Sequence, residues 1–211
     1  MSESRTFQTR LRITPESDEK LSKFAIKYGS LKRKILSRII ADKDDEPLKD
    51  IKRTYLKRFG VTGRQFNAAQ SDAETSIAAF KAHQEYLLQQ LQRKICSAQK
   101  SIEQSKKPNV IHQKKRRLAI LQEKERKLRV DIDSGAVRIC YGSKKLFHAQ
   151  FHLEENNFPS HAAWKAKWKA ERDNQIFVIG SSDETAGNQT CTAVVEKDEK
   201  ITLRLRLPNS I

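Results

Sequence analysis

The chain has 211 residues, 37% of them hydrophobic, which is enough apolar material for one large domain or two small ones. Forty-two Lys and Arg against 26 Asp and Glu give a formal net charge of +16, which indicates a polyanionic partner, with nucleic acid as the first candidate. Three scattered cysteines (Cys96, Cys140 and Cys191) exclude a disulfide framework and a CxxC zinc knuckle, so we expect reduced, buried thiols.

No window approaches the about 18 apolar residues that a membrane span needs, and residues 1–12 lack an apolar signal region. We therefore expect a cytoplasmic protein without a membrane partner. The charge is uneven along the chain, because residues 1–135 carry +14 and residues 136–211 only +2. The first segment is expected to meet most of the partner's charge.

The first elements are predicted to be a short strand and three helices. Residues 6–13 alternate with period two, which predicts a half-buried strand whose outer face is basic. Thr14 and Pro15 read as the N-cap and first residue of a helix that ends at Gly29, and a second helix follows to Ile40. A third helix is predicted over about residues 48–59, closed by Gly60.

The middle of the chain predicts a long helical hairpin. Neither Pro nor Gly occurs between Gly63 and Pro108, and apolar residues recur at three, four and seven positions, so we expect one helix of about 40 residues. Residues 106–109 then make a turn, and residues 110–132 return as an antiparallel helix. Four residues of this second helix are expected to face inward: Ile111, Leu118, Leu121 and Leu128.

After Gly135 the sequence changes to short runs rich in β-branched and aromatic residues. These runs predict strands over residues 136–141, 146–153, 175–179, 190–195 and 201–207. One short helix, residues 160–173, interrupts them, and its Trp164 and Trp168 are expected to pack against the sheet rather than to stack on bases. Since the N-terminal strand has no other partner, we predict an α+β fold with the helices inserted into a β-domain.

Few residues carry the pattern of a catalytic or metal site. Asp131 and Asp133 faintly resemble the first strand of a RuvC-type nuclease, but they are read as the end of a basic helix. Asp183 and Glu184 are read as solvated loop acids. His148 and His152 share a face but have no third ligand nearby, so they are read as structural.

The basic run Lys114, Lys115, Arg116 and Arg117 is the strongest functional feature of the hairpin. Together with Lys106 and Lys107 it makes the tip and flank of the hairpin positive, and the alternative is a solvated helix surface or a salt-bridged hairpin, since Glu123 and Glu125 lie nearby. We favour contact with phosphates.

Three segments carry a resemblance to a known family. They are VRICYGSKKLF at 137–147, GSSDETAGNQT at 180–190 and LRLRLP at 203–208, and in this order and spacing they resemble the TnpB (OrfB) family of transposon-encoded RNA-guided nucleases, relatives of type V CRISPR effectors. In that family a wedge β-barrel is split in sequence around a helical recognition lobe. The resemblance implies a first wedge strand at 1–13, a recognition lobe at 14–132 and a wedge β-domain with one short helix at 133–211.

The same resemblance implies guide RNA and target double-stranded DNA as partners. Family members continue into a RuvC nuclease with a zinc ribbon, and these 211 residues hold neither the RuvC carboxylates nor the zinc cysteines. We therefore expect no catalytic or metal-ligating residues here, Mg²⁺ only in a RuvC domain carried elsewhere, and no cleavage by this chain alone. A natural truncation, a cloned fragment and one half of a split effector whose second chain carries RuvC stay open.

The alternative function is a guide-independent DNA-binding regulator derived from a transposase, although residues 20–67 lack a clear helix-turn-helix spacing. In the favoured reading the nucleic-acid contacts come from basic and amide side chains across both segments. The residues predicted to make them are Arg10, Arg12, Lys32, Arg33, Lys52, Arg53, Arg64, Gln65, Lys114, Lys115, Arg116, Arg117, Lys144, Lys145, Asn188 and Gln189.

Overall fold

A computed structural model describes residues 8–41, 48–180, 188–197 and 200–208, with only the backbone described for 48–50. This part of the chain is mostly helical and contains one two-stranded antiparallel sheet, so the α+β prediction holds at that level. The chain divides into two compact units. We call residues 1–70 with 141–211 the first unit, and residues 71–140 the hairpin unit.

Helix α1 spans Pro15–Ala41 without interruption, whereas the sequence predicted two helices separated at Gly29. Its start is as predicted, because the Thr14 hydroxyl accepts the Ser17 N–H at 3.2 Å. Gly29 is buried inside the helix, and a Cβ there would lie 2.5 Å from the Asp173 Oδ1. This glycine therefore permits a close tertiary approach and does not end the helix.

Helices α2 (Leu48–Phe59) and α3 (Gly63–Glu103) confirm the next two predicted helices, the second with 41 residues. Between them the backbone of Gly60 has a φ of 59°, which suits a glycine after a helix end. A capping box begins α3: the Thr62 N–H donates to the Gln65 side chain at 2.9 Å, and the Gln65 N–H to the Thr62 hydroxyl at 3.3 Å. The core of the first unit includes Phe24, Tyr28, Leu31, Ile35 and Phe66.

The strands predicted over 136–141 and 146–153 are wrong. Residues 136–140 have no regular structure, and the chain then forms a short helix α5 (Lys144–His148) followed by a 3-10 turn (Ala149–Phe151). The Ser143 hydroxyl caps α5 by accepting the Leu146 N–H at 3.2 Å. Apolar, β-prone residues here satisfy their backbone in a capped turn, because strand propensity expresses packing context more than a backbone preference.

Helix α6 (His161–Arg172) confirms the short predicted helix, with Ser160 as its N-cap. Trp164 is 3% exposed and stacks on Trp168 at 5.4 Å between ring centroids. The Trp164 indole N–H donates to the Leu146 carbonyl at 2.7 Å. Core packing of this tryptophan is thus confirmed, but its partner is α5 and not a sheet.

The sheet consists of β1 (Cys191–Val195) and β2 (Ile201–Leu205), within the two last predicted strands. Cys191 lies opposite Leu205, and Val195 opposite Ile201. Residues 8–13 and 175–179 form no strand, and Thr6 and Phe7 lie outside the described residues. No barrel therefore forms among the described residues, because the other predicted strands have no neighbour to satisfy their backbone.

The hairpin unit contains the later part of α3 and helix α4 (Pro108–Asp133), as predicted. Two contacts fix their antiparallel register: Gln92 to Glu125 at 3.4 Å, and the Lys114 Nζ to the Ser101 carbonyl at 3.1 Å. The four residues predicted to face inward are buried or half-buried, namely Ile111, Leu118, Leu121 and Leu128. Apolar residues recurring at helical spacing thus determine this element.

Candidate nucleic-acid interface

The charge of the hairpin unit is concentrated around its turn. We call residues 93–117, which comprise the end of α3, the turn and the start of α4, the distal end. It contains one acidic residue, Glu103, and nine basic ones. The nine are Arg93, Lys94, Lys100, Lys106, Lys107, Lys114, Lys115, Arg116 and Arg117.

No acidic residue in the described part of the chain pairs with any of these nine cations. Farther along α4, by contrast, basic side chains do have acidic partners. Glu123 contacts Arg126 at 2.8 Å, and Glu125 contacts Arg129 at 2.7 Å. The hydrogen bond from Arg126 lowers the pKa of Glu123 to about 2. Internal pairs thus neutralise this part of the helix and leave the distal end uncompensated.

A concave site lies between α3 and α4 within the distal end. It has a volume of about 310 Å³, and we call it the basic notch. Four basic side chains and three small residues line it: Arg93, Lys94, Lys114, Arg117, Ser97, Ala98 and Ser101. The Lys114 ammonium is held at its edge by the Ser101 carbonyl.

Only one side of this notch was predicted from the sequence. Lys114 and Arg117 belong to the predicted basic run, in which Lys115, Arg116 and Arg117 are exposed and Lys114 is half-buried. Arg93 and Lys94 were not predicted. The predicted hairpin contained the signal for them, because the end of the first helix must lie beside the start of the second.

Several predicted contact residues of the first unit make interactions within the fold. Lys32 is 9% exposed, with its ammonium 4.7 Å from the centroid of the Tyr141 ring. Arg33 forms an ion pair with the buried Asp173. The Lys52 ammonium donates to the Asn67 side chain at 2.7 Å.

The side chains of two predicted contact residues, Gln65 and Asn188, form hydrogen bonds with backbone groups. Gln65 is 2% exposed and, besides capping α3, donates to the Arg206 carbonyl at 3.0 Å. The Asn188 Oδ1 accepts the N–H groups of Thr190 and Cys191, at 2.9 and 3.0 Å, where β1 begins. The other predicted residues are exposed: Arg10, Arg12, Arg53, Arg64, Lys144, Lys145 and Gln189.

The acidic residues and histidines considered as candidates do not form a catalytic or metal-binding cluster among the described residues. Asp131 and Asp133 lie in the last turn of α4, as predicted, and Asp131 pairs with Arg138 at 2.8 Å. Asp183 and Glu184 lie outside the described residues. His148 and His152 are exposed, and no group of three His, Cys, Asp or Glu residues suited to a metal ion occurs in the described chain.

All three cysteines are free thiols, but the expectation that they are buried is wrong for two of them. Cys96 and Cys140 are exposed, and Cys191 is half-buried. Cys96 lies on the outer surface of the hairpin because the inward positions around it are taken by residues such as Ile95.

Among the described residues no helix combines the length and the apolar character that crossing a bilayer requires. Comparison of the chain with protein-family models, curated proteins and solved structures finds no match.

Proposed function

We propose that this chain binds nucleic acid as the guide-RNA- and target-DNA-binding part of a TnpB-like RNA-guided DNA endonuclease. The observation that carries the proposal is the distal end of the hairpin, where nine basic residues accompany one acidic residue and none of the nine has an acidic partner in the described chain. Binding to phosphates releases condensed counterions, which makes such a surface attractive to any polynucleotide.

The chemistry of this surface suits backbone contact rather than base reading. Lys and Arg on exposed helix faces reach phosphate oxygens, which position a duplex without carrying sequence information. In an RNA-guided system this is sufficient, because base pairing with the guide selects the target. The hairpin is thus assigned to the recognition lobe that the resemblance implies.

The β1–β2 hairpin and the residues before it are assigned to the wedge domain. Residues 141–147, 188–190 and 203–208, which carry described parts of the resemblance, belong to the first unit. A wedge-type barrel requires strands beside β1 and β2 in addition to those described. The proposal therefore includes further strands pairing with this small sheet in the assembled effector.

The alternative, a DNA-binding regulator, draws support from one feature. Helices α2 and α3 are joined by residues 60–62, a three-residue turn that contains Gly60, as in helix-turn-helix motifs. Arg64 is exposed near the start of α3, where such a motif places its contacts. The distal end of the helical hairpin has no role in that function. Variants of the distal end therefore distinguish the regulator from the RNA-guided protein.

The decisive experiment purifies the tagged protein from cells that carry its gene and sequences the nucleic acid bound to it. A discrete structured RNA supports the proposal, duplex DNA supports the regulator, and no bound nucleic acid contradicts both. The variant R93Q/K94Q/R116Q/R117Q should lose the RNA. The matched control K124Q/R126Q/K127Q/R129Q removes the same charge from the neutralised part of α4 and should retain it.

The proposal also includes the absence of cleavage by this chain alone. Two-metal phosphodiester hydrolysis needs several carboxylates converging on ions about 4 Å apart, and Asp131 is engaged with Arg138. Protein incubated with guide, matched duplex and Mg²⁺ should leave the DNA intact, and cleavage should appear when a chain supplying RuvC is added. Guide-dependent cutting by the parent that disappears in D131A/D133A or in D183A/E184A would contradict this part.

A further inference from the structure

The basic notch has a shape and a lining that indicate a more specific ligand than the surrounding basic surface does. We propose that it is a seat for the nucleic-acid backbone, taking one phosphodiester group together with its adjoining sugar. This inference rests on the proposed nucleic-acid binding and adds to it where on the hairpin the strand lies. It also assigns a binding role to Arg93 and Lys94, which the pattern of the sequence did not single out.

The volume of the notch is sufficient for one phosphate group and its adjoining sugar. Its volume of about 310 Å³ is at the lower end of the range of roughly 300–1,000 Å³ found for small-ligand sites. The concavity exists because α3 presents Ser97, Ala98 and Ser101 there, whose short side chains leave space beside α4. Larger residues at these positions would fill the notch while leaving every charge in place.

The charges of the notch converge from both helices. Arg93 and Lys94 come from α3, and Lys114 and Arg117 from α4, and no acidic residue lines the site. An arginine can hold a phosphate through two parallel N–H bonds, whereas a lysine acts as a point charge. Lys114 is already held at the edge by the Ser101 carbonyl, so less side-chain freedom is lost when a phosphate binds.

The lining also indicates which part of a nucleotide is bound. Bases of single strands are usually held by aromatic side chains on which they stack, and the notch is lined by none. The two serine hydroxyls can donate to phosphate or sugar oxygens. The contact is therefore with the backbone and independent of base sequence.

The first test compares two variants of equal charge. R93Q/K94Q/R117Q removes three cations of the notch, and K106Q/K115Q/R116Q removes three distal-end cations outside it. Binding is measured by fluorescence anisotropy with a labelled RNA hairpin of 20 base pairs, and in parallel with the DNA duplex of the same sequence and with heparin. The RNA and DNA arms identify which nucleic acid occupies the seat.

We expect the notch variant to lose at least about tenfold more affinity for RNA or DNA than the control. Its log–log salt slope should fall by roughly 1 more, the loss of one phosphate contact. Equal losses in the two variants would show that only total charge matters and would overturn the seat. A parent that binds neither polynucleotide would instead remove the proposed function itself.

The second test changes the shape of the notch and keeps its charge. S97L/S101L fills the space, and S97A/S101A leaves it open; both pairs add good helix formers, and circular dichroism checks the fold. The leucine variant should bind about tenfold more weakly than the alanine variant, and heparin binding should differ less. Equal binding by the two folded variants would overturn the inference.

Discussion

Gly29 lies in the middle of α1, where a glycine costs about 1 kcal/mol relative to alanine. It stands there because the Asp173 carboxylate approaches α1 at this point to pair with Arg33. The side chain of Asp173 is 6% exposed. Arg172, whose Nε lies 3.9 Å from the Asp173 Oδ2, is a second cation beside the same carboxylate. Burial and repulsion from Arg33 lower the pKa of Arg172.

Gly29→Ala should therefore destabilise the protein, by roughly 1–3 kcal/mol, as for an overpacked core. The built Cβ lies 2.5 Å from the Asp173 Oδ1 and 3.2 Å from the Arg33 Nη1. In an Asp173→Ala background the clash is absent, and the same change should be neutral or stabilising by up to about 1 kcal/mol. Chemical unfolding of the four proteins of this cycle measures both values, and an equal effect in the two backgrounds would contradict the explanation.

Gln65 illustrates how one side chain can join distant segments. It completes the capping box with Thr62 and donates to the carbonyl of Arg206, 141 positions along the chain. From the sequence, Gln65 and the adjacent Arg64 were predicted to contact nucleic acid.

Gln65→Ala should lower the free energy of unfolding by about 1–3 kcal/mol, because it removes the partner of the Arg206 carbonyl and of the helix N-terminus and leaves a gap where the buried Gln65 side chain lay. Arg64→Ala, at the adjacent exposed position, should change it by less than about 0.5 kcal/mol. Thermal melts of the two variants make the comparison. A stable Gln65→Ala protein with weakened nucleic-acid binding would restore the original interpretation.

At the scale of elements, the β1–β2 hairpin has one apolar face. The register places Ala193 opposite Leu203 and Val195 opposite Ile201 on the same side of the sheet. Val195 is 70% exposed, Ile201 67% and Leu203 43%. A two-stranded sheet is marginally stable by itself, so such a face is unusual without a covering layer.

The variant V195T/I201T/L203T should bind less of the dye ANS than the parent, because it removes exposed apolar surface while keeping β-prone side chains. Its melting temperature should stay within about 4 °C of the parent's, since exposed side chains contribute little to folding. Dye fluorescence and a thermal melt are sufficient measurements. A strong loss of stability would show that these residues are buried in solution.

At the scale of the whole molecule, the net charge of +16 opposes compaction of the free chain and favours a polyanion. The hairpin unit shows how this excess is distributed. Ion pairs neutralise the part that holds Glu123 and Glu125, whereas the distal end has a single acidic residue. We therefore expect electrostatic attraction to the distal end to dominate the affinity of this protein for nucleic acid.

Binding to structured RNA should accordingly depend strongly on salt. If roughly six or more phosphates are contacted, affinity should fall by about a thousandfold between about 50 and 200 mM monovalent salt. Anisotropy titrations at four salt concentrations give the slope directly. A flat response would remove the electrostatic basis of the proposed function.

Elements whose signals are local could be predicted from the amino-acid pattern alone. Helices α2, α3, α4 and α6 follow from apolar spacing and from Gly, Pro and Ser at their ends, and the basic run at 114–117 is visible as letters. Other features depend on contacts between distant segments and became visible in the folded protein. Gly29 lies within a helix at a point where the Asp173 carboxylate leaves no room for a Cβ. Leu146 is helical where a strand was predicted, and its carbonyl accepts the Trp164 N–H. Arg33 and Gln65 have structural roles set by partners 140 and 141 residues away, and the basic notch needs two helices side by side. Such contacts have no local signal, because their free energy depends on which segments the fold brings together.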